Sequence, residues 1–535
     1  MTSILDESTS VVDQRRDPAP SAAGLSWSAR CRGALGRPAV VAVLIGVAAT
    51  ALRLIAAGRS YDIFIDEVTY TKVADNLAHG SGVVLYGQPF FVHPPAAFGL
   101  LAMVIVVFNL HGTTEHLLFD LRSLDAVLGG LTCAATFLLV RRAGGAKVAL
   151  LAAALLALDP FVISYDSRVM LEAPAQLAAV ASVLALARAL ERGAGSSARR
   201  RWLVASGLLA ACVLCTKETF GLVIGLLVVL LWVTGWVVAR REAAAVAGVA
   251  VGGYLLNVVL AGATGGFAGW WDANTEGLQR LIGTKKITGF TAPTTHVTLV
   301  SRVFANASQF GVTYAVLAAG TVSAVVLVWR HRRARSAGSG DERPGRVRVL
   351  LGLWALSGAA YLAYATLFGS IEEQMYYIVV LPALACLCLV AAPLVRQGRL
   401  LRRAAVVALL VGALVVDGTV WLHVHSRRDD EYRTFLAWES RHVRPDRVIA
   451  VTEDTAQFLL GRAVLGQWNT PAELRQHRVG YVLLATSLVA QGYGDASPSF
   501  ERFVEHHGTL AFAADGPSDG SLRLYDVARY TGGRS

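Results

Sequence analysis

Two adjacent carboxylates, Asp66 and Glu67, stand just past the end of a long apolar run, in the segment RSYDIFIDEVTYTKVADNLAHG, and His93-Pro94-Pro95 follows in the same polar stretch. Farther along, Arg122, the run YDSRVMLE with Asp166, Arg168 and Glu172, the pair Lys217-Glu218, and Glu372-Glu373 followed by Tyr376 and Tyr377 each fall at the edge of an apolar stretch. Lys217 and Glu218 separate two apolar runs with almost no loop between them, and ionisable groups at that depth pair with each other or line a polar cavity. Taken singly, each is a wetted helix end or an ion pair clamping helices. Gathered on one side, they match the needs of a reaction on a lipid-linked sugar phosphate: cations hold the phosphate while a carboxylate takes the proton of an attacking acceptor. The transition state has oxocarbenium character, as in glycoside hydrolysis. The leaving phosphate is already a stable anion, so one base suffices, and single displacement with inversion is expected.

The elements that must position these groups are membrane spans. The 535 residues are 54% hydrophobic and only 16% charged, far more apolar than a soluble core requires. Apolar runs near 39-57, 122-140, 148-165, 173-190, 202-216, 218-239, 243-262, 310-329, 349-368, 375-395 and 404-422 predict about 11 transmembrane helices, a mainly α polytopic fold. The net charge of +11 comes from short basic clusters between these runs. That pattern marks cytoplasmic loops rather than a nucleic-acid surface, so no nucleic-acid partner is expected. It places the N-terminus inside and the C-terminus outside, with 96-110 as a juxtamembrane helix, because a span there would turn every later basic cluster outward.

Residues 1-38 read as a disordered cytoplasmic tail, 39-422 as the transmembrane domain with outer loops 58-121 and 263-309, and 423-535 as a small extracytoplasmic α/β domain with strand-like runs RVIAVTE and VGYVLLAT. Cys212 and Cys215 form C-x-x-C inside LLAACVLC, without the polar surroundings of a zinc or redox pair, and read as small core-packing residues. Trp270, Trp271 and Asp272 are either an acceptor groove or interfacial anchors.

Several of these segments together resemble the GT-C superfamily of membrane glycosyltransferases, most closely the protein O-mannosyltransferases and their aminoarabinose-transferase relatives. The likeness runs in order over roughly residues 40 to 400, through FIDEVTYTKVADNLAHG, FFVHPPAAFGLL (with Ala96 where Leu is usual), LRSLDAVLGGLTCAATFLLVRRAGG, YDSRVMLEAP, LLAACVLCTKETFGL and QMYYIVVLPAL. The resemblance implies a GT-C fold and a polyprenyl-phosphate sugar donor, commonly mannose. It makes Asp66 the leading candidate base with Glu67 beside it, and Arg168, Lys217 and Arg122 the donor-phosphate contacts. His93, Asp166, Glu172, Glu218, Tyr376 and Tyr377 are expected to bind or position substrate, and no obligatory metal or other cofactor is expected. The inserted carbohydrate-binding-like module of the eukaryotic mannosyltransferases is missing, which leaves protein, lipid and glycan acceptors all open. The partners expected are the lipid-linked donor, that acceptor and the bilayer, with a plasma-membrane location and an extracytoplasmic site. The competing readings are a transporter or flippase of lipid-linked saccharides, disfavoured by nearly bare helix centres, and a non-catalytic scaffold, which needs no such constellation.

Overall fold

The computed structural model describes residues 37-263, 266-285, 297-338, 343-369, 371-460, 465-491, 496-518 and 520-532. Nearly all of the expected tail 1-38, and the part of loop 263-309 that contains Lys286, lie outside the described residues. The chain divides into a short unit, Met1–Val41, and a body, Ala42–Ser535.

Helices dominate. In chain order they are α1 (Pro38–Leu54), α2 (Ile65–Ala78), α3 (Ala96–Phe108), α4 (Thr114–Gly144), α5 (Ala146–Leu158), α6 (Pro160–Asp166), α7 (Glu172–Leu190), α8 (Ser197–Leu214), α9 (Glu218–Thr234), α10 (Arg240–Ala263), α11 (Phe267–Leu281) and α12 (Leu299–Ala305). They continue as α13 (Ala307–Ser336), α14 (Arg343–Leu367), α15 (Tyr377–Gln397) and α16 (Leu400–Ser426) before the C-terminal region begins. Each of the eleven apolar stretches is helical, and the protein is a multi-pass membrane protein. Among the described residues, seven helices are long and apolar enough to cross a membrane, and the bent pair α5 and α6 makes an eighth. The difference from eleven lies in α1 and α9, each 17 residues and so about 25 Å long, and in α8, which opens on Arg199, Arg200 and Arg201. At 13 residues, or about 20 Å, α3 is too short for a hydrocarbon core of about 30 Å, consistent with a helix beside the membrane.

Breaks in the helices have local causes. The bend of 63° between α5 and α6 falls at Asp159-Pro160, where proline supplies no N–H and the Asp159 carboxylate caps α6 by accepting from the Val162 N–H at 3.0 Å. Gly145, at φ +83°, lets α4 end and α5 begin within one residue. Cys133, Cys386 and Cys388 are buried, whereas Cys212 is exposed and Cys215 half-buried. Cys212 on α8 therefore does not pack the core as expected, whereas Cys215, just past the end of α8, lies with its Sγ 3.8 Å from the Gly253 carbonyl oxygen.

Residues beyond α16 form a mixed five-stranded sheet in the order β4-β3-β5-β7-β6, built from β3 (Ile449–Val451), β4 (Leu465–Gly466), β5 (Tyr481–Ala485), β6 (Thr509–Gly516) and β7 (Gly520–Asp526); a small hairpin of β1 (Val84–Leu85) and β2 (Gln88–Pro89) lies between α2 and α3. β3 runs parallel to β4 and β5, while β7 is antiparallel to both β5 and β6. The helices α17 (Glu431–His442), α18 (Asp454–Leu460), α19 (Pro471–Gln476), α20 (Thr486–Gln491), α21 (Pro498–His507) and α22 (Ala528–Thr531) surround it.

Strand alternation divides this sheet between two cores. Ala450, Val482, Leu484 and Tyr525 point to one face and pack with Leu474 and Val504 of α19 and α21. Ile449, Val451, Leu483, Leu522 and Leu524 point to the other and join Val68, Val73 and Ala74 of α2, Phe98 and Leu101 of α3, and Leu118 and Leu121 of α4 in one hydrophobic cluster. The loop helix α2 is thus held from two sides, by α3 and α4 and by the sheet.

Candidate active site

Asp66 and Glu67 are neighbours in sequence, yet helix geometry sends successive side chains about 100° apart around α2, and the two meet different surroundings. Glu67 is fully buried and forms a two-point ion pair with Arg122, Nε to Oε1 at 2.9 Å and Nη2 to Oε2 at 2.7 Å. It also accepts from the Val169 N–H at 2.8 Å and the Phe64 N–H at 3.2 Å. Arg122 gives its remaining N–H groups to the carbonyls of Ala57 (2.7 Å), Tyr61 (2.9 Å) and Asp62 (3.2 Å). A guanidinium has five N–H donors, and all five of Arg122 are engaged inside the protein. Arg122, expected to contact the donor phosphate, has no donor left in this structure and ties the loop between α1 and α2 to α4. For the same reason Glu67, closed in by four hydrogen bonds, is not placed to take a proton from substrate.

Asp66 points elsewhere and is half-buried. Burial raises its carboxyl to about 6, with Lys217 and His93 pulling down and Glu172 and Glu372 pushing up. The Tyr70 hydroxyl, one turn later on α2, hydrogen-bonds to it. His93 is brought alongside by a backbone tie: after Pro94-Pro95, the N–H of Ala96 donates to the Cys215 carbonyl at 2.9 Å, fastening the start of α3 to the break between α8 and α9. His93 then stacks edge-on with Tyr70 at 5.7 Å and lies 3.9 Å from Glu218.

Lys217 caps the break in extended conformation before α9. Its ammonium pairs with Glu172, at the start of α7, and donates to Oε1 of Gln374 at 3.3 Å; the Gln374 amide in turn donates to Glu372. A row Glu172–Lys217–Gln374–Glu372 thus lies beside Asp66. Three polar atoms here are buried without a hydrogen-bond partner: Oε2 of Glu172, Nε of Arg168 and Nδ1 of His93. The Arg168 guanidinium lies 5.2 Å from the Tyr61 ring, and Tyr165 is within electrostatic reach of Arg168, Glu172 and Asp66 alike.

Asp166 and Tyr377 are drawn into a different network. Asp166 is buried, pairs with Nε of Arg53 at 2.7 Å and receives the Tyr377 hydroxyl. Both residues were expected to contact substrate, and in this structure they hydrogen-bond to one another within the helix bundle. Tyr376 instead stays half-buried, edge-on to Tyr314 at 6.0 Å, near Glu373, which accepts from Asn306 (2.7 Å) and Tyr314 (3.1 Å). A cavity of about 220 Å³ opens beside Arg122 and Arg433 and is lined by neither Asp66 nor Lys217. Among the described residues no group of three or more His, Cys, Asp and Glu is arranged to hold a metal ion.

Sequence reasoning passed over Tyr70, Gln374, Arg53 and Asp125. Tyr70 was legible as the i+4 partner of Asp66 on a helix, and Arg53, a lone charge inside the first apolar run, carries the signal that marks intramembrane partners. Asp125, buried and accepting from the Met170 N–H at 2.7 Å, offered the same signal. Gln374 had none, since a single amide after two glutamates is ordinary loop chemistry.

Residues 86–256 match the family model described as dolichyl-phosphate-mannose-protein mannosyltransferase, a stretch that includes His93, Arg168, Glu172 and Lys217 but begins after Asp66. The structure is similar to ArnT from Cupriavidus metallidurans bound to undecaprenyl phosphate, with 15% identity, 92% of this chain and 99% of that chain covered, and a TM-score of 0.55. It is also similar to the oligosaccharyltransferase of Archaeoglobus fulgidus in complex with Zn and sulfate, with 14% identity, 92% and 73% covered, and a TM-score of 0.56. No curated protein matches the sequence. The fold is that of the GT-C superfamily of membrane glycosyltransferases.

Proposed function

We propose that this chain transfers a sugar, mannose or another hexose or pentose, from a polyprenyl-phosphate carrier to an extracytoplasmic acceptor. Asp66 is the base. The observation that carries the reading is the carboxyl of Asp66, held near 6 and facing a deep cation, Lys217, with the orphaned Nε of Arg168 in the same polar region. A base poised close to neutrality is ionised under working conditions and still basic enough to accept a proton. The family match and the fold of a protein that binds undecaprenyl phosphate support the donor class.

In this reading the acceptor gives its proton to Asp66 as its oxygen or nitrogen forms a bond to the anomeric carbon. The bond from that carbon to the phosphate oxygen breaks in the same step, and the electron pair leaves with the phosphate. Arg168 and Lys217 stabilise the charge that collects there. Attack opposite to the departing phosphate inverts the anomeric carbon. Glu172 and Gln374 hold Lys217, Tyr70 and His93 fix the Asp66 carboxylate, and Glu218, Glu372 and Tyr376 border the sugar. Glu67 with Arg122, and Asp166 with Tyr377 and Arg53, form the frame. The acceptor is a protein, lipid or glycan at the outer face of the plasma membrane.

The test is release of polyprenyl phosphate from polyprenyl-phosphate-mannose, then from a panel of other carrier sugars, by membranes containing wild type or Asp66→Asn at equal abundance. Loss of a general base lowers turnover about 10²–10⁴-fold. Full activity of Asp66→Asn on any donor overturns the assignment, and the labelled protein, lipid or glycan fraction identifies the acceptor.

A further inference from the structure

The C-terminal sheet region touches the loop that carries Asp66 through a contact not explained so far. Asp62, four residues before Asp66, and Glu431, the first residue of α17, are each 2% exposed and face one another. Asp62 accepts from the N–H groups of Ile63 (2.9 Å) and Tyr432 (3.2 Å). Apart from its own backbone N–H, Glu431 has no N–H or hydroxyl partner at its carboxylate oxygens. Gly516 on β6 leaves the room it needs, since any Cβ at that position would coincide with the Glu431 carboxyl.

The groups around this pair give it no counter-charge. From the loop come Arg59, which offers its carbonyl to the Asp429 N–H at 2.8 Å, and Tyr61. From α4 comes Arg122, engaged with Glu67, and from α16 comes His425, edge-on to Tyr61 at 5.7 Å. On the C-terminal side are Asp429, 3% exposed and accepting from the N–H (3.0 Å) and hydroxyl (2.6 Å) of Ser518, then Asp430, and Arg433, which is directed to Gly58 and Glu115. Two buried carboxylates facing one another beside a third negative charge cannot all be ionised.

We propose that Asp62 and Glu431 share one proton across their carboxyl groups, and that this bridge is the latch by which the C-terminal region positions the Asp66 loop. The proton makes one carboxyl the hydrogen-bond donor that Glu431 otherwise lacks, in the manner of coupled carboxyl pairs. Asp62 and Glu431 act through the loop, so they are positioning residues; the consequence for turnover rests on the sugar-transfer reading, whereas the latch itself does not. Burial, the facing Asp62 carboxyl and Asp429 raise Glu431, whereas Asp62 is raised by burial and Asp429 and pulled down by the hydrogen bond from Glu431. Raised carboxyl groups contribute stability to the docked state that is fully present below the ordinary carboxyl value and is lost as pH rises from there through the folded value. The docked contact therefore weakens as pH rises, and once the shared proton leaves, two facing carboxylates repel and the loop is released.

The experiment is hydrogen–deuterium exchange of the full-length protein in detergent, read over 59-70 and 427-435 across the alkaline range and corrected for intrinsic exchange, with turnover followed in parallel. In wild type, protection of both segments falls together with a single midpoint on the alkaline side. Glu431→Gln, which keeps a donor and cannot ionise, removes that transition, and Asp429→Asn, which lessens the repulsion left when the proton departs, moves it to higher pH. The same midpoint in wild type and Glu431→Gln, or a downward shift in Asp429→Asn, overturns the latch. Should Glu431→Gln fail to fold, the direction of the Asp429→Asn shift decides alone. An exchange transition without a matching fall in turnover removes the positioning role. A wild type that consumes no donor sinks the sugar-transfer reading, while the exchange result still decides the latch.

Discussion

Arg122 and Arg168 look alike in the sequence, each a cation at the edge of an apolar run, and the structure predicts opposite consequences for removing them. Arg122→Ala deletes two charge-assisted hydrogen bonds to Glu67 and three to backbone carbonyls, leaving a carboxylate that is 0% exposed with only the N–H groups of Val169 and Phe64. Breaking one side of a buried pair costs about 3–5 kcal/mol, a large part of the roughly 5–15 kcal/mol that holds a typical folded domain together. The variant should fail to accumulate, or should unfold well below wild type when heated in detergent. The double variant Glu67→Gln/Arg122→Met carries no orphaned charge and should recover part of the loss. Arg168→Ala removes a guanidinium whose Nε bonds nothing, so its unfolding temperature should stay near that of wild type while donor consumption falls about 10²–10³-fold. The assay pairs thermal unfolding with release of polyprenyl phosphate for all four proteins. Normal folding of Arg122→Ala with a selectively raised donor requirement would make Arg122 the phosphate contact and refute the argument from its saturated donors.

Other outcomes follow from the same geometry. With Asp66 raised to about 6 and active only as the carboxylate, turnover should fall tenfold per pH unit below that value; a rate that stays flat through this range on an intact protein counts against Asp66 as base. Lys217→Met leaves Glu172 buried without its ion partner, so both unfolding temperature and turnover should drop, and adding Glu172→Gln should restore stability but not turnover, as a comparison of the two variants with wild type would reveal. At Gly129 a Cβ would run into the Asp166 carboxylate and, at 2.5 Å, Nε of Arg53, so Gly129→Ala should destabilise the protein by about 1–3 kcal/mol, read as a lower midpoint in thermal unfolding.

The helices were legible because a bilayer leaves backbone polar groups few alternatives to intrahelical bonds, so long apolar runs in the sequence are already structural statements. The α/β character of the C-terminal region was equally open, since RVIAVTE and VGYVLLAT alternate or run apolar over strand lengths and became β3 and β5. Less legible was where that region sits. Leu483, Leu522 and Leu524 read as an ordinary sheet face, and only the fold discloses that α2, far away in sequence, covers it. Hydropathy records that a face must be buried and carries no information about what buries it.

The same division runs through the site. Residue type and spacing assembled Asp66, His93, Arg168, Glu172 and Lys217 on one side of the protein before any coordinates, because charges are tolerated in a membrane chain only at helix ends or in polar cavities. What they could not do was sort Asp66 from Glu67, or Arg168 from Arg122, since adjacent residues on a helix diverge by about 100° and a guanidinium's role depends on whether its donors are already engaged. What distinguishes their surroundings is long-range contact: Glu67 to Arg122 and Val169, Asp166 to Arg53 and Tyr377, Lys217 to Glu172 and Gln374. The sequence alone determined which residues are ionisable and near the membrane surface, a matter of solvation; which of them remain available to a substrate is a matter of partners, and partners distant in sequence meet only in the tertiary structure.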